Sequence, residues 1–216
     1  MTTARTDGRV ARGNATRRTV LARTMEIASV EGLEGLSLGR IANELKLSKS
    51  GVFALFGSKE ELQLATIRAA SSVYAEQVVK PAEAHPPGLG RALALAASWS
   101  AYSRTRIFPG GCFFSGVIAE FDARSGPVHD ALRDAHRQWN DYVETTLREA
   151  KDAGELTDAA DPAQLAFELI SLLESANLYS VLHGEDSAYD RAGRAILARL
   201  AAVATDPGAL PPQLGA

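Results

Sequence analysis

The side chains best suited to chemistry lie in the stretch SLGRIANELKLSKSGVFALFGSK. Ser37 and Ser48 each precede an apolar helical stripe, so we expect both to be N-caps whose hydroxyls accept from free N–H groups of the first turn. Lys49, Ser50 and Gly51 follow directly and place small or basic groups at the start of the second helix. These groups are suited to hydrogen bonding with phosphate oxygens and base edges.

The sequence holds no recognisable catalytic or metal-binding pattern. Its histidines fall in separate segments and lack a metal-ligand spacing such as H-E-x-x-H; they are His85, His129, His136 and His183. Cys112 is the only cysteine. A nucleophilic or redox role for it stands against the simpler role of a small buried residue, which we favour. We therefore predict a protein that is not an enzyme and that has no cofactor and no metal site.

Two short helices with a tight turn are predicted around these polar groups. Leu38, Ile41 and Leu45 form one apolar stripe, and Val52 and Phe56 supply the buried face of the next helix. The connection of about three residues is too short for antiparallel packing and is typical of a helix-turn-helix. On these signals alone, an ordinary helical hairpin within a bundle is an equal alternative.

The run IA-x-x-L-x-L-S-x-x-x-V-F-x-x-F-x-S-K-E-x-L at Ile41–Leu62 resembles the signature of the TetR family of transcriptional repressors. Some positions depart from the usual pattern. The turn glycine is replaced by Lys46, the common tyrosine by Phe53, and the next two residues, one of them often histidine, are Ala54 and Leu55. In relatives the tyrosine hydroxyl typically meets a phosphate, a contact that Phe53 cannot make.

The resemblance implies an all-α fold of about nine helices, with an N-terminal three-helix DNA-binding domain and a C-terminal helical bundle for ligand binding and dimerisation. The expected divisions are a flexible basic arm (1–16), the helix-turn-helix domain (17–60), the ligand-binding and dimerisation domain (61–205) and a disordered tail (206–216). The expected DNA-binding residues are Arg17, Arg18, Ser37, Ser48, Lys49, Ser50, Gly51, Phe53 and Lys59.

Charge distribution favours nucleic-acid binding by the N-terminal end alone. The whole chain of 216 residues carries a net charge of −3. Residues 1–59 hold ten Lys and Arg against five Asp and Glu, whereas residues 60–216 hold thirteen against twenty-one. A basic end on an acidic body suits a phosphate-binding head. The arginines before residue 17 form either an arm that follows DNA or a solvated tail.

The C-terminal helices are predicted from proline and glycine punctuation and from apolar periodicity. A long fourth helix from Lys59 to about Val79 is expected to stop at Pro81, and five further helices follow. The helices at about 161–183 and 187–204 resemble the pair that forms the dimer interface of TetR-like proteins. Completion of a monomeric bundle is the alternative.

An effector site is expected in the bundle interior, where aromatic side chains cluster with a few polar ones. Plain core packing is the alternative for any single aromatic residue. The expected ligand-binding residues are Trp99, Tyr102, Phe113, Phe114, Val117, Phe121, Trp139, Tyr142, Glu174 and Asn177.

The combined expectation is a ligand-responsive repressor that binds a palindromic DNA operator as a homodimer and is released by a small apolar or aromatic effector. A ligand-binding helical scaffold, or a ligand-independent regulator of the same fold, is the alternative. No run of 18 apolar residues or secretory signal is apparent, so we expect a cytoplasmic protein without a membrane partner.

Overall fold

The computed structural model describes residues 3–214, and the side chains of residue 11 and of residues 13–214. In this part of the chain nine α-helices dominate, and the only β-type pairing is a bridge between Leu156 and Ala204. The predicted all-helical class is confirmed. The helices are α1 (Thr3–Glu31), α2 (Leu38–Glu44), α3 (Lys49–Phe56), α4 (Lys59–Tyr74), α5 (Leu89–Arg104), α6 (Phe113–Phe121), α7 (Pro127–Asp152), α8 (Pro162–His183) and α9 (Ser187–Ala201).

Capping side chains set the start of α4 and of α8. The Ser58 hydroxyl accepts from the Glu61 N–H at 3.1 Å. The Asp161 carboxylate accepts from the N–H groups of Ala163 and Gln164, at 3.1 and 3.3 Å. Each contact satisfies donors that the first helical turn leaves without a backbone partner.

Two helix boundaries differ from expectation. Helix α1 begins at Thr3 rather than near Arg17, because a helix that has already nucleated adds further residues at low cost even where they form no apolar face. After α4 the chain continues through a π-helical segment, Ala75–Val79, and a single turn, Lys80–Ala82. Pro81 therefore lies inside the helical path instead of stopping it, and the wider turn before it accommodates a residue with no N–H to donate.

The chain packs as two compact units that do not follow its sequence order. The first comprises the described residues up to Ser72 together with Phe108–Arg133, and the second comprises Val73–Ile107 with residues 134–214. Helices α4 and α7 each contribute residues to both units. The helix-turn-helix therefore belongs to the same unit as α6, although about 60 residues separate them in sequence.

The core of the first unit is mainly apolar and includes a pair of buried hydroxyls. Val20, Ile41, Val52 and Leu62 are fully buried. Thr66 in α4 donates to Thr24 in α1 at 2.9 Å, so that two buried hydroxyls satisfy each other. The core of the second unit is built by α5, α7, α8 and α9 and includes Leu95, Trp99, Leu147, Leu165, Leu173, Ile196 and Leu200.

Candidate nucleic-acid interface

Two serine caps position the crossed helices α2 and α3, which contact each other in the first unit. Ser37 Oγ accepts from the Arg40 N–H at 3.1 Å, and Ser48 Oγ accepts from the Gly51 N–H at 3.0 Å. Both serines are exposed, and each hydroxyl retains a proton for a further acceptor. The caps predicted from sequence are therefore present.

The turn between α2 and α3 is closed by backbone hydrogen bonds and strained at Lys46. The Leu47 N–H donates to the Ala42 carbonyl at 2.8 Å. Lys46 adopts a φ of 55°, the left-handed conformation that a glycine reaches without steric cost. Lys46, which replaces the glycine usual at this position, thus keeps the turn geometry and adds an exposed ammonium group.

Helix α3 buries one face and exposes the other. Val52 and Phe56 point into the core of the first unit. Five residues on the outer side are exposed: Lys49, Ser50, Gly51, Phe53 and Ala54. The first turn of this face is therefore small, polar and basic, as a helix that enters the DNA major groove requires.

Arg17 is engaged within the first unit. Its Nη1 donates to the Leu55 carbonyl at 2.7 Å, and its guanidinium lies 4.5 Å from the centre of the Phe56 ring. It satisfies a carbonyl at the end of α3 and fixes that helix against α1. Arg18, the next residue, is exposed. The two arginines expected to bind DNA thus differ in their surroundings.

Lys59, expected to hold a phosphate, is bound to Glu34. Its ammonium donates to the Glu34 carbonyl oxygen and to Oε2 of the Glu34 carboxylate, both at 2.8 Å. The Lys59 hydrogen bond is the largest cause of the lowered pKa of Glu34. A phosphate contact by Lys59 would have to use its third proton or displace this pair.

A network of surface charges that we did not predict fixes α2 against α1. Arg40 pairs with Glu31 and Glu44, and Arg23 pairs with Glu44 and Glu26. The hydrogen bonds from Arg40 lower the pKa of Glu31 and of Glu44. The Arg40–Glu44 pair, spaced i,i+4, and the Arg23–Glu26 pair, spaced i,i+3, can be read from the sequence, whereas the pairs that join α1 to α2 depend on the packing of the two helices.

The segment around α6 supports the loop between α1 and α2. The backbone of Gly110 approaches α1 so closely that an added Cβ would lie 1.8 Å from the Ser29 carbonyl oxygen. The Gly110 N–H donates to Ser29 Oγ at 3.2 Å. The Glu120 carboxylate accepts from the N–H groups of Leu33 and Glu34, at 2.7 and 2.9 Å. These contacts hold α1 and α6 together within the first unit.

The residues expected to bind an effector are divided between the two units. The first unit holds Phe113, Phe114, Val117 and Phe121, and the second holds Trp99, Tyr102, Trp139, Tyr142, Glu174 and Asn177. In the first unit Phe113, Val117 and Phe121 are buried and Phe114 is half-buried. The Phe113 and Phe114 rings meet edge to face at 5.3 Å.

In the second unit, Tyr74 forms a cluster with two other aromatic residues. Its ring meets those of Tyr102 and Trp139 edge to face, at 5.6 and 5.2 Å. Tyr142 is half-buried on α7, and burial raises its pKa. Tyr74 was not among the residues expected to bind an effector, because it lies at the end of α4, whose periodicity indicates core packing only.

Asn177 takes part in a buried polar network within the second unit. Ser103 Oγ donates to Asn177 Oδ1 at 2.7 Å and lies 2.6 Å from the Tyr189 hydroxyl. The Arg106 guanidinium bonds both Tyr189 and Ser180, at 3.2 and 2.6 Å. This network joins α5, α8 and α9, which gives Asn177 a structural role that its isolated position in an apolar helix did not indicate.

A cavity of about 620 Å³ in the second unit contains none of the expected ligand-binding residues. It is lined by residues of α5 and α9 and by the C-terminal segment 212–214, including Arg104, Tyr189, Asp190 and Arg194. Arg104 is already paired with Asp190. Across residues 3–214, no group of three or more His, Cys, Asp and Glu side chains could hold a metal ion.

Helix α8 exposes an apolar stripe on one side. Phe167 and Leu182 are 66% and 68% exposed, and Leu178, Tyr179 and Val181 are exposed beside them. Although it contains no run of 18 apolar residues, α8 has the length and mean hydropathy, 1.3, of a membrane span, because charged residues are few in its most apolar window. That window is 44% buried, and core helices of water-soluble proteins pass the same test.

Known families and structures resemble the chain along most of its length. Residues 20–66 match the model of the bacterial regulatory proteins of the tetR family, and residues 88–196 match the tetracyclin repressor-like C-terminal domain. No curated protein matches. A TetR transcriptional regulator from Chloroflexus aurantiacus is 22% identical, with a TM-score of 0.78 over 84% of this chain and 92% of its own.

Two further structures share the fold. A TetR family regulator from Agrobacterium tumefaciens is 14% identical, with a TM-score of 0.77 over 89% of this chain and all of its own. AibR, solved in complex with isovaleryl coenzyme A and operator DNA, is 19% identical, with a TM-score of 0.61 over 76% of this chain and 85% of its own. At these identities the structures show the common fold alone.

Proposed function

The chain belongs to the TetR family of bacterial transcriptional regulators, and from this premise we propose that it is a ligand-responsive repressor that binds a palindromic operator as a homodimer. The observation that carries the proposal is the exposed first turn of α3. Lys49, Ser50 and Gly51 are exposed there, on a helix fixed by the Ser48 cap and by Arg17. The major groove admits a helix with such a face.

Lys49 reads bases in this proposal, and the surrounding hydroxyls set the register. A lysine ammonium bonds the O6 and N7 acceptors that guanine presents in the major groove. Ser37 and Ser48 donate their hydroxyl protons to phosphates, and the exposed Arg18 adds a charge contact. Arg17 positions α3 through its contacts with Leu55 and Phe56. In this proposal it therefore supports the recognition helix and does not itself contact DNA.

Dimerisation through α8 and α9 provides a second DNA-binding domain. The exposed stripe with Phe167 and Leu182 is an apolar patch of the kind that marks an interaction surface. A second copy covers it by two-fold symmetry, and the same symmetry doubles the DNA site. Half-sites about 34–36 Å apart then follow from the pitch of DNA. Covering α8 in this way is consistent with a cytoplasmic protein.

A small apolar or aromatic effector releases the protein from DNA in this proposal. The ring cluster of Tyr74, Tyr102 and Trp139 supports an aromatic-lined site in the second unit. The effector acts only if it binds the state of low DNA affinity more tightly than the DNA-competent state. A difference of about 1–3 kcal/mol weakens DNA binding by roughly 5–150-fold.

DNA selected from a random library, followed by binding titrations, tests the proposal. We expect a two-fold symmetric sequence, and Lys49→Ala should weaken its binding about tenfold and relax preference at one position of each half-site. Lys80→Ala removes an exposed lysine paired only with Glu76 and should bind as the wild type does. Absence of any shifted complex at low salt, with folded protein, would instead favour the helical scaffold.

The effector is tested on protein purified from its native host. Native mass spectrometry should detect a bound small molecule, and adding it back should dissociate the protein from its selected DNA. Binding to DNA that no bound or added molecule alters would favour a ligand-independent regulator of the same fold.

A further inference from the structure

The outer face of α3 changes chemistry along its length. Its first turn exposes Lys49 and Ser50, and its second turn exposes Phe53 and Ala54. Residues four apart lie on one face of a helix, so Phe53 follows Lys49 in one row and Ala54 follows Ser50 in the next. The surface offered to DNA is therefore polar at one end and apolar at the other.

Phe53 is 57% exposed, whereas its helix neighbours Val52 and Phe56 are 0% and 6% exposed. A phenyl ring carries a large apolar surface that is stabilised by leaving water. The core of the first unit does not take up this ring, and the ring has no hydroxyl to donate to a phosphate. Its apolar edge is therefore available to an apolar partner outside the chain.

The major groove offers one apolar group, the C5-methyl of thymine, and phenylalanine and alanine side chains are among its usual partners. Residues four apart on a helix are separated by about 6 Å along the axis. Base pairs are stacked about 3.4 Å apart. A thymine methyl near Phe53 would therefore lie about two base pairs from the base that Lys49 reads.

We propose that Phe53 is a specificity-determining residue that contacts the C5-methyl of a thymine in each half-site, with Ala54 beside it. This inference rests on the proposed DNA-binding function and deepens it. It assigns sequence reading to a position that the family pattern assigns to a phosphate. Phenylalanine in place of tyrosine thus replaces a phosphate contact, which fixes the position of the protein on DNA, with a contact that selects a base.

Replacing thymine by deoxyuridine tests the inference, because this change removes the methyl group and leaves every hydrogen-bonding atom in place. Binding of the selected duplex is measured by fluorescence anisotropy at one salt concentration, with each thymine of the half-site replaced in turn. We expect one position at which the methyl-free duplex binds about fourfold more weakly per half-site, the equivalent of burying one methyl-sized group.

Combining the deoxyuridine duplexes with a protein variant gives a double-mutant cycle. Phe53→Ala should bind the thymine and deoxyuridine duplexes equally at that position, because the partner of the methyl is gone. Val30→Ala removes another exposed apolar side chain of the first unit and should keep the fourfold difference. Circular dichroism checks that both variants fold. We expect both to fold because the two side chains are exposed.

Three outcomes contradict the inference. Equal wild-type binding to all duplexes, or a deoxyuridine penalty that persists in Phe53→Ala, would overturn the methyl contact while leaving DNA binding intact. A wild-type protein that binds no DNA sequence would overturn both the methyl contact and the proposed function.

Discussion

Glu120 and Leu33 are 87 residues apart in sequence, yet the Glu120 carboxylate accepts from the Leu33 N–H at 2.7 Å. Its second oxygen accepts from the Glu34 N–H at 2.9 Å. The carboxylate therefore ties α6 to the loop that follows α1, where Gly32 adopts a φ of 79°. An added Cβ at Gly32 would lie 2.5 Å from the same carboxylate, so the loop and Glu120 fit only with glycine there.

Replacement of Glu120 by alanine should lower the free energy of unfolding by about 2 kcal/mol, since two charge-assisted hydrogen bonds are lost at a half-buried site. Urea denaturation measures the change. Asp122→Ala removes a nearby exposed carboxylate and should change stability by less than about 0.5 kcal/mol. Equal effects of the two substitutions would show that the Glu120 contacts add nothing.

The left-handed backbone of Lys46 predicts a stabilising substitution. Lys46→Gly should raise the free energy of unfolding by about 0.5–1 kcal/mol, because relief of the steric cost exceeds the added entropy of the unfolded chain. Lys46→Ala removes the same charge but keeps the steric cost, so its melting temperature should match that of the wild type. A gain in both variants would assign the effect to charge.

Arg17 and Arg18 should differ although they are adjacent. Arg17→Ala should lower both stability and affinity for every DNA sequence, because the contacts with Leu55 and Phe56 that position α3 are lost. Arg18→Ala should leave the melting temperature unchanged and flatten the salt dependence of DNA binding by about one ion per chain. Melting curves and salt titrations of the two variants separate positioning from contact.

Local patterns predicted the helices and the helix-turn-helix because their signals act over a few residues. Ser37 and Ser48 cap helices at the predicted positions, and the apolar stripes of α2 and α3 face the core. The start of α1 was wrong, since a segment without an apolar face gives no periodic signal. Pro81 was wrong as a stop because a π-helical turn before it was not foreseen.

Partners distant in sequence were not predictable in the same way. The engagement of Arg17 by Leu55, of Lys59 by Glu34 and of Asn177 by Ser103 depends on how helices pack. Each of these side chains had been assigned to DNA or to an effector from its residue type and its place in the family pattern. Residue type identifies what a group can bind, whereas tertiary packing decides what it meets first.

The Lys59–Glu34 pair predicts acid lability of the first unit. Lys59 lowers the pKa of Glu34 below its ordinary value of 4.5. The stabilisation is thus complete above pH 4.5 and is lost as the pH falls through the lower folded value. Glu34→Gln should melt lower than wild type at pH 7, and the difference should shrink towards pH 3. A difference independent of pH would exclude an ionic origin.

Glu174 should show the opposite pH dependence. It lies on α8 between Phe167 and Leu178 on the exposed apolar stripe, and although solvent reaches part of it, the surrounding protein atoms raise its pKa. Proximity to His136, when that imidazole is charged, opposes the shift. A raised carboxyl pKa means that the folded state disfavours the ionised form, so stability is reduced above the folded pKa and recovers as the pH falls through it.

Glu174→Gln should therefore melt higher than wild type at pH 7, and the gain should shrink as the pH falls through the raised pKa of the wild-type carboxyl towards the ordinary value of 4.5. If the stripe is covered by a second copy, the same substitution should strengthen dimerisation at pH 7, measured by sedimentation equilibrium. Glu185→Gln, at an exposed residue beyond the end of α8, is the matched control and should change neither quantity. A lower melting temperature for Glu174→Gln at pH 7 would mean that the ionised carboxylate is stabilised by a partner, because removal of a desolvated charge cannot destabilise the fold.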